Sequence, residues 1–148
     1  MGLTYRRVEG ARVNLTLLSG AIGPDEVMAF YEAFDTTDAS LSDAWITCDC
    51  GDADLSEIDL ARVAKLKALI GSKLRALAEF QPIRSALVSG RQINEPFFQF
   101  WKVLATNDLD HPSAPQFFHR LEDACDWLGL DAAGTAEVVA VARAGCAR

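Results

Sequence analysis

Histidine is scarce, positive charge is in deficit, and no long apolar run occurs. The chain has two histidines in 148 residues, His111 and His119. Neither has a nucleophile or base partner readable from its neighbours, and no Gly-x-Ser-x-Gly elbow accompanies them. No catalytic residue is therefore assigned, and the chain is read as non-enzymatic. The 14 basic side chains face 21 acidic ones, a net charge of −7, so the average surface repels a phosphate backbone and nucleic acid is not an expected partner. No apolar stretch approaches the roughly 18 residues of a membrane span, and the start Met1-Gly2-Leu3-Thr4-Tyr5-Arg6-Arg7 has no secretory leader pattern. The expectation is a cytoplasmic protein without stable membrane insertion.

Motifs for cofactors are missing too. There is no Gly-x-x-x-x-Gly-Lys loop, and Gly71-Ser72-Lys73 falls inside a helical pattern. Cys48-Asp49-Cys50 is too closely spaced for a Cys-x-x-Cys pair or zinc knuckle. An EF-hand loop begun at Asp52 would need glycine where Glu57 stands and an acid where Val63 stands. No metal and no cofactor are expected. The four cysteines, Cys48, Cys50, Cys125 and Cys146, read as free thiols of a reducing compartment; Cys48 and Cys50 point to one face of a strand and do not pair with each other.

What is present is half apolar and 24% charged, a composition able to form a core. At this length a domain buries about 68–70% of its unfolded surface. Tyr5 to Val8 and Arg12 to Leu18 form a hairpin about Glu9-Gly10. In its second strand Val13, Leu15 and Leu17 alternate with Asn14 and Thr16, which predicts one buried face and one partly wet face. Gly23-Pro24-Asp25-Glu26 starts a helix carrying Val27, Phe30, Tyr31 and Phe34, and Asp35 to Asp43 is a linker. Ala44 to Cys50 is a central strand.

Ser56-Glu57-Ile58-Asp59 has the form of a capping box opening the longest helix, with a buried stripe of Leu60, Val63, Leu66, Ile70, Leu74 and Leu77. Ile83 to Val88 is a strand, Ile93 to Ala105 a helix, Pro112 to Pro115 a break, Gln116 to His119 the last strand, and Arg120 to Leu128 a helix ended by Gly129. A weak helix from Ala132 to Arg143 lacks a core pattern and is expected to fray. The fold class is α/β: a mostly parallel central sheet of about five strands, with an N-terminal hairpin edge and flanking helices.

Three segments carry a resemblance: Val13 to Ile22 followed by Pro24-Asp25-Glu26-Val27, the strand Trp45 to Cys50 leading through Gly51-Asp52-Ala53-Asp54-Leu55, and Phe118 to Leu128 with its Ala124-Cys125-Asp126-Trp127-Leu128 close. In this order the chain resembles the SpoIIAA-like group of small bacterial proteins, which have the STAS fold. The resemblance implies a domain over residues 1–130, with 131–148 a tail helix, either part of it or frayed. It also implies regulation through protein contacts. The Asp-Ser-Ser-Gly phosphorylation turn of STAS antagonists is absent; Ser56 is the nearest hydroxyl, and the capping box accounts for it.

Two surfaces follow. Asp52, Asp54, Ser56 and Asp59 form a candidate regulatory turn at the carboxyl end of a strand, where open α/β sheets bind ligands. Phe97, Phe98, Phe100 and Trp101 are too many for one helical face if Phe97, Trp101 and Leu104 face the sheet. The surplus is covered by the tail helix, by a protein partner (including a second copy in a homodimer), or by a lipid-like ligand in an apolar pocket. The leading expectation is a regulatory or scaffolding domain that binds a protein. The alternatives are a binder of a small apolar molecule and, more remotely, an enzyme using Asp52, Asp54 and His119.

Overall fold

The structure is a computed structural model that describes residues 2–77, 83–106 and 115–147. Five strands, β1 (Leu3–Val8), β2 (Val13–Leu18), β3 (Ala44–Asp49), β4 (Ser85–Val88) and β5 (Gln116–Phe118), lie in one sheet in the order of the chain. β1 and β2 pair antiparallel, with Val8 opposite Val13, and every later neighbour is parallel. The α/β class, the hairpin edge and the mostly parallel sheet are therefore observed.

The strand order decides where the helices go. Each parallel crossover steps one strand in the same direction, and right-handed crossovers then deliver all their helices to one face. That face carries α1 (Pro24–Glu32), α2 (Leu60–Leu77) and α3 (Glu95–Thr106). Val27, Val63, Leu66, Phe98 and Trp101 from these helices pack with Leu18 and Leu87 from the sheet. The opposite face takes the helices that follow the last strand, α4 (Leu121–Trp127) and α5 (Ala132–Cys146). Ala124, Cys125, Val138 and Ala142 pack there on Val13, Leu15, Leu17, Ile46, Cys48, Ala86 and Val88.

Covering both faces corrects the reading of β2. All six of its residues are buried, Asn14 and Thr16 included. Alternation finds the two faces of a strand; a half-wet face and a face covered by helices differ only in what arrives from elsewhere in the chain.

The tail is also corrected. α5 begins on Asp131, whose carboxylate accepts the Gly134 N–H at 2.7 Å, and it runs to Cys146, three residues beyond the sequence expectation. Cys146 is bonded to Cys50, while Cys48 and Cys125 are buried free thiols. The expectation of four free thiols is thus wrong for two of them. A 96-residue separation hides such a pairing from any local reading.

α2 opens three residues later than the capping box implies. Asp59 is the capping residue: its Oδ1 accepts the Arg62 N–H at 2.9 Å and its Oδ2 pairs with the Arg62 guanidinium at 2.7 Å. Leu60, placed in the buried stripe by periodicity, is 52% exposed, whereas Val63 and Leu66 are buried as expected. The side chains of Ile70, Leu74 and Leu77 lie outside the described residues. Among the described residues no helix is long and apolar enough to cross a membrane.

Candidate functional site

The parallel strands converge at their carboxyl ends on three polar side chains. Asp49 closes β3, Ser89 follows β4, and His119 follows β5. Asp49 is turned back on its own chain: Oδ1 accepts the N–H groups of Gly51 at 2.7 Å and Ala53 at 3.0 Å. Gly51 takes a φ of +117°, a conformation that side chains with a Cβ adopt with strain. Asp49 Oδ2 accepts the Ser89 hydroxyl at 2.8 Å and the Asn94 amide at 3.3 Å.

Asn94, fully buried at the foot of α3, joins the strand ends to the following turn. Its Oδ1 accepts the Leu55 N–H at 2.9 Å, and its Nδ2 donates to the Ala53 carbonyl at 2.8 Å. Arg91 donates to the same carbonyl at 2.9 Å. A bridge between Ala21 and Asp54, with Ile22 N–H donating to Asp54 O and Asp54 N–H to Gly20 O, each at 2.9 Å, ties the turn to the segment after β2. His119 reaches the Ser89 carbonyl through Nδ1 at 3.3 Å, and its ring meets Phe117 edge-on.

These bonds hold residues 51–59 in one conformation with two sides. Ala53, Leu55 and Ile58 are buried and act as anchors. Asp52, Ser56, Glu57, Asp59 and Leu60 face outward. Of the four turn residues expected from sequence, the structure joins two. Asp54 Oδ1 accepts both the N–H of Ser56 at 2.9 Å and its hydroxyl at 2.5 Å. Ser56 is thus a donor to Asp54 and not the cap of α2. Asp52 stands apart, and Asp59 serves the helix.

The hydroxyl bond from Ser56, and then its backbone bond, favour the charged carboxylate and hold Asp54 below the usual aspartate range. A depressed folded value makes this contribution to stability present above the unfolded value and lost as pH falls through the folded one. Ser56→Ala should raise the Asp54 midpoint toward that of an ordinary aspartate in an NMR-detected pH titration. An unchanged midpoint would mean that the hydroxyl bond does not form in solution.

The aromatic set is divided by the structure. Phe98 and Trp101 are buried, with Phe98 5.2 Å from Phe117 between ring centroids; Phe97 is half-buried at 5.5 Å from Phe98; Phe100 is 37% exposed. The sheet-facing stripe therefore runs through Phe98 and Trp101 rather than Phe97 and Trp101. The Leu104 side chain and all of His111 lie outside the described residues. The tail helix covers none of these rings, because α5 packs on the other face of the sheet. α2 packs beside α3 in its place.

Comparison of the chain with family models, curated proteins and solved structures finds no match. Among the described residues no group of three or more His, Cys, Asp or Glu side chains could hold a metal ion. No hydrogen bond or ion pair joins Asp52, Asp54 and His119, so the residues named for an enzyme do not form a bonded set.

A second polar knot, which sequence reading missed, lies at the other end of the sheet. Asn14 Oδ1 accepts the Tyr5 hydroxyl at 2.6 Å and Arg7 at 3.2 Å, and its Nδ2 donates to the Ser40 carbonyl at 2.9 Å. Asp43 binds Arg7 at 2.6 Å and Arg12 at 3.2 Å. Arg7, Arg12, Ser40 and Asp43 line an open depression of about 610 Å³ together with Glu9, Ala39 and Ser42. Both arginines are engaged by Asp43, so the knot reads as a brace for the residues leading into β3. The only signal for either knot in the sequence is a polar residue inside a strand or directly after one.

Proposed function

We propose that this chain is a non-enzymatic regulatory or scaffolding domain that binds another protein through the turn 51–60. On this reading it is a cytoplasmic domain with a STAS-like, SpoIIAA-like scaffold that has lost the Asp-Ser-Ser-Gly phosphoswitch. The observation that carries the proposal is the division of labour in the turn. Its inward polar groups are satisfied by Asp49, Asn94 and Arg91, while Asp52, Ser56, Glu57, Asp59 and the half-exposed Leu60 are presented outward.

A turn already ordered in the free protein loses little conformational entropy on association, which is what a recognition surface requires. A reacting centre would instead need polar groups left free to meet substrate, and the inner groups here are occupied. The observed order of strands and helices supports the STAS-like scaffold, because the resemblance rests on that order together with the three segments Val13 to Val27, Trp45 to Leu55 and Phe118 to Leu128. The partner is a protein with a basic surface and a shallow apolar recess for Leu60. Like charges at the turn oppose a homodimer through this surface. The apolar-ligand alternative gains nothing, since Phe98 and Trp101 are core side chains.

A photo-crosslinking residue at Glu57, compared with one at the exposed Ser72 on α2, tests the proposal in cells. The expected result is a discrete heterologous adduct from Glu57 alone, weakened several-fold by Leu60→Ala. Equal adducts from both positions, no adduct, or adducts only between copies of the chain would each reject it.

A further inference from the structure

α5 packs on the sheet through a narrow apolar face, with Val138 and Ala142 buried and Val141 and Cys146 partly buried beside them. Over 15 residues only Val138 and Ala142 are fully buried, and glycines occupy positions 134 and 145. Helices of about 12–15 residues are marginal in water unless packing holds them, and glycine weakens them further. At the amino end α5 has its Asp131 cap and an exposed bond from the Gly10 N–H to Glu137 at 3.3 Å. At the carboxyl end Gly145 lies so close to β2 that a Cβ would collide with Leu17 Cδ1, and the next residue, Cys146, is bonded to Cys50 immediately after β3.

The four cysteines fall into two kinds. Cys50 and Cys146 are half-buried, whereas Cys48 on β3 and Cys125 on α4 are enclosed in the core between the sheet and its covering helices. Burial pushes the Cys48 thiol up to about 12 and the Cys125 thiol up to about 11, so neither supplies a thiolate that could attack the neighbouring bond at neutral pH.

We infer that the Cys50–Cys146 bond is a redox latch: an external dithiol opens it and thereby frees the carboxyl-terminal turns of α5 from β2. One thiolate of the dithiol attacks one sulfur of the bond, forming a mixed disulfide and releasing the other cysteine as a thiolate. The second thiol of the reductant then closes on the first, releasing the remaining cysteine. The dithiol is oxidised by two electrons, its two protons pass to the sulfurs of Cys50 and Cys146, and both residues end as thiols. Opening removes the covalent tie beside the close Gly145–Leu17 contact, and the apolar face around Leu17 becomes intermittently accessible. Because Cys50 directly precedes the turn 51–60, the latch sits where a change of redox state is felt beside that surface. The inference stands whether or not the turn binds a partner.

Hydrogen exchange read by mass spectrometry on the full chain, with and without dithiothreitol, tests it. Reduction should speed exchange across 139–146 at least tenfold and leave 44–49 and 61–69 unchanged. Cys146→Ser without reductant should reproduce the fast exchange, and Cys125→Ala should keep the response to dithiothreitol. The reduced wild type carries the test should a variant fail to fold. Unchanged protection of 139–146 after two new thiols are titrated would overturn the latch, making the bond a passive staple. Loss of protection throughout the sheet would overturn it as well, since the bond would then hold the whole fold, and so would the absence of any bond in oxidised protein.

Discussion

Asn94→Ala is expected to destabilise the protein by about 2–4 kcal/mol, measured as a shift of the urea unfolding midpoint at constant slope. Asn94 is fully buried and its side chain bonds four groups: the Leu55 N–H, the Ala53 carbonyl, Asp49 Oδ2 and, at 3.5 Å, the Ser89 hydroxyl oxygen. The carbonyl retains Arg91 and the carboxylate retains Ser89, so the largest loss is the Leu55 N–H, left buried once its acceptor, the Asn94 side-chain oxygen, is removed. An orphaned buried donor costs about 1–3 kcal/mol, and the emptied volume adds to it. Gln92→Ala, two residues earlier on an exposed position, should change stability by less than about 0.5 kcal/mol. An Asn94→Ala cost no larger than that would mean that the turn is not held from α3. The same substitution loosens the presented face of the turn without touching an outward residue, so it should also reduce crosslinking from Glu57.

The second large effect belongs to the covalent tie. Reducing the Cys50–Cys146 bond should lower the free energy of global unfolding by about 4–5 kcal/mol, because the closed loop of 96 residues restricts the unfolded chain and its opening restores that freedom. Paired urea titrations with and without reductant measure the difference. The Cys50→Ser, Cys146→Ser double variant should match the reduced protein under both conditions. A difference below about 1 kcal/mol would show that the unfolded chain retains enough structure to make the constraint redundant. This equilibrium quantity is separate from the local release of α5, which concerns the native state before it unfolds.

Much of the architecture was legible in the sequence because its signals are local. Alternating Val13, Leu15 and Leu17 mark a strand from within their own segment, and Pro24 followed by Asp25 and Glu26 marks a helix start by the chemistry of its first turn. Strands separated by helices then imply parallel crossovers and a mostly parallel sheet, whereas the order of the strands in it came from the structure. The acidic turn after β3 was legible for the same reason, as polar residues where a strand ends.

The remainder depended on partners distant along the chain. Asn94 lies 39 residues from Leu55, and Ser89 lies 40 from Asp49. Nothing near Asn94 distinguishes a helix start from the peg that holds another loop. Periodicity placed Leu60 in a stripe that the entry of α2 leaves facing outward, and chose Phe97 where the rotation of α3 buries Phe98.

The sequence by itself determined the order of elements, the α/β class and the location of a presented acidic turn, since each follows from contacts between near neighbours. Only the tertiary structure decided that Asn14 and Thr16 are buried, that α5 lies on the face opposite the aromatic helix, and that Cys50 pairs with Cys146. The physical reason is that a strand or helix specifies which side chains share a face, but what covers that face depends on the handedness of crossovers and on where a remote segment docks.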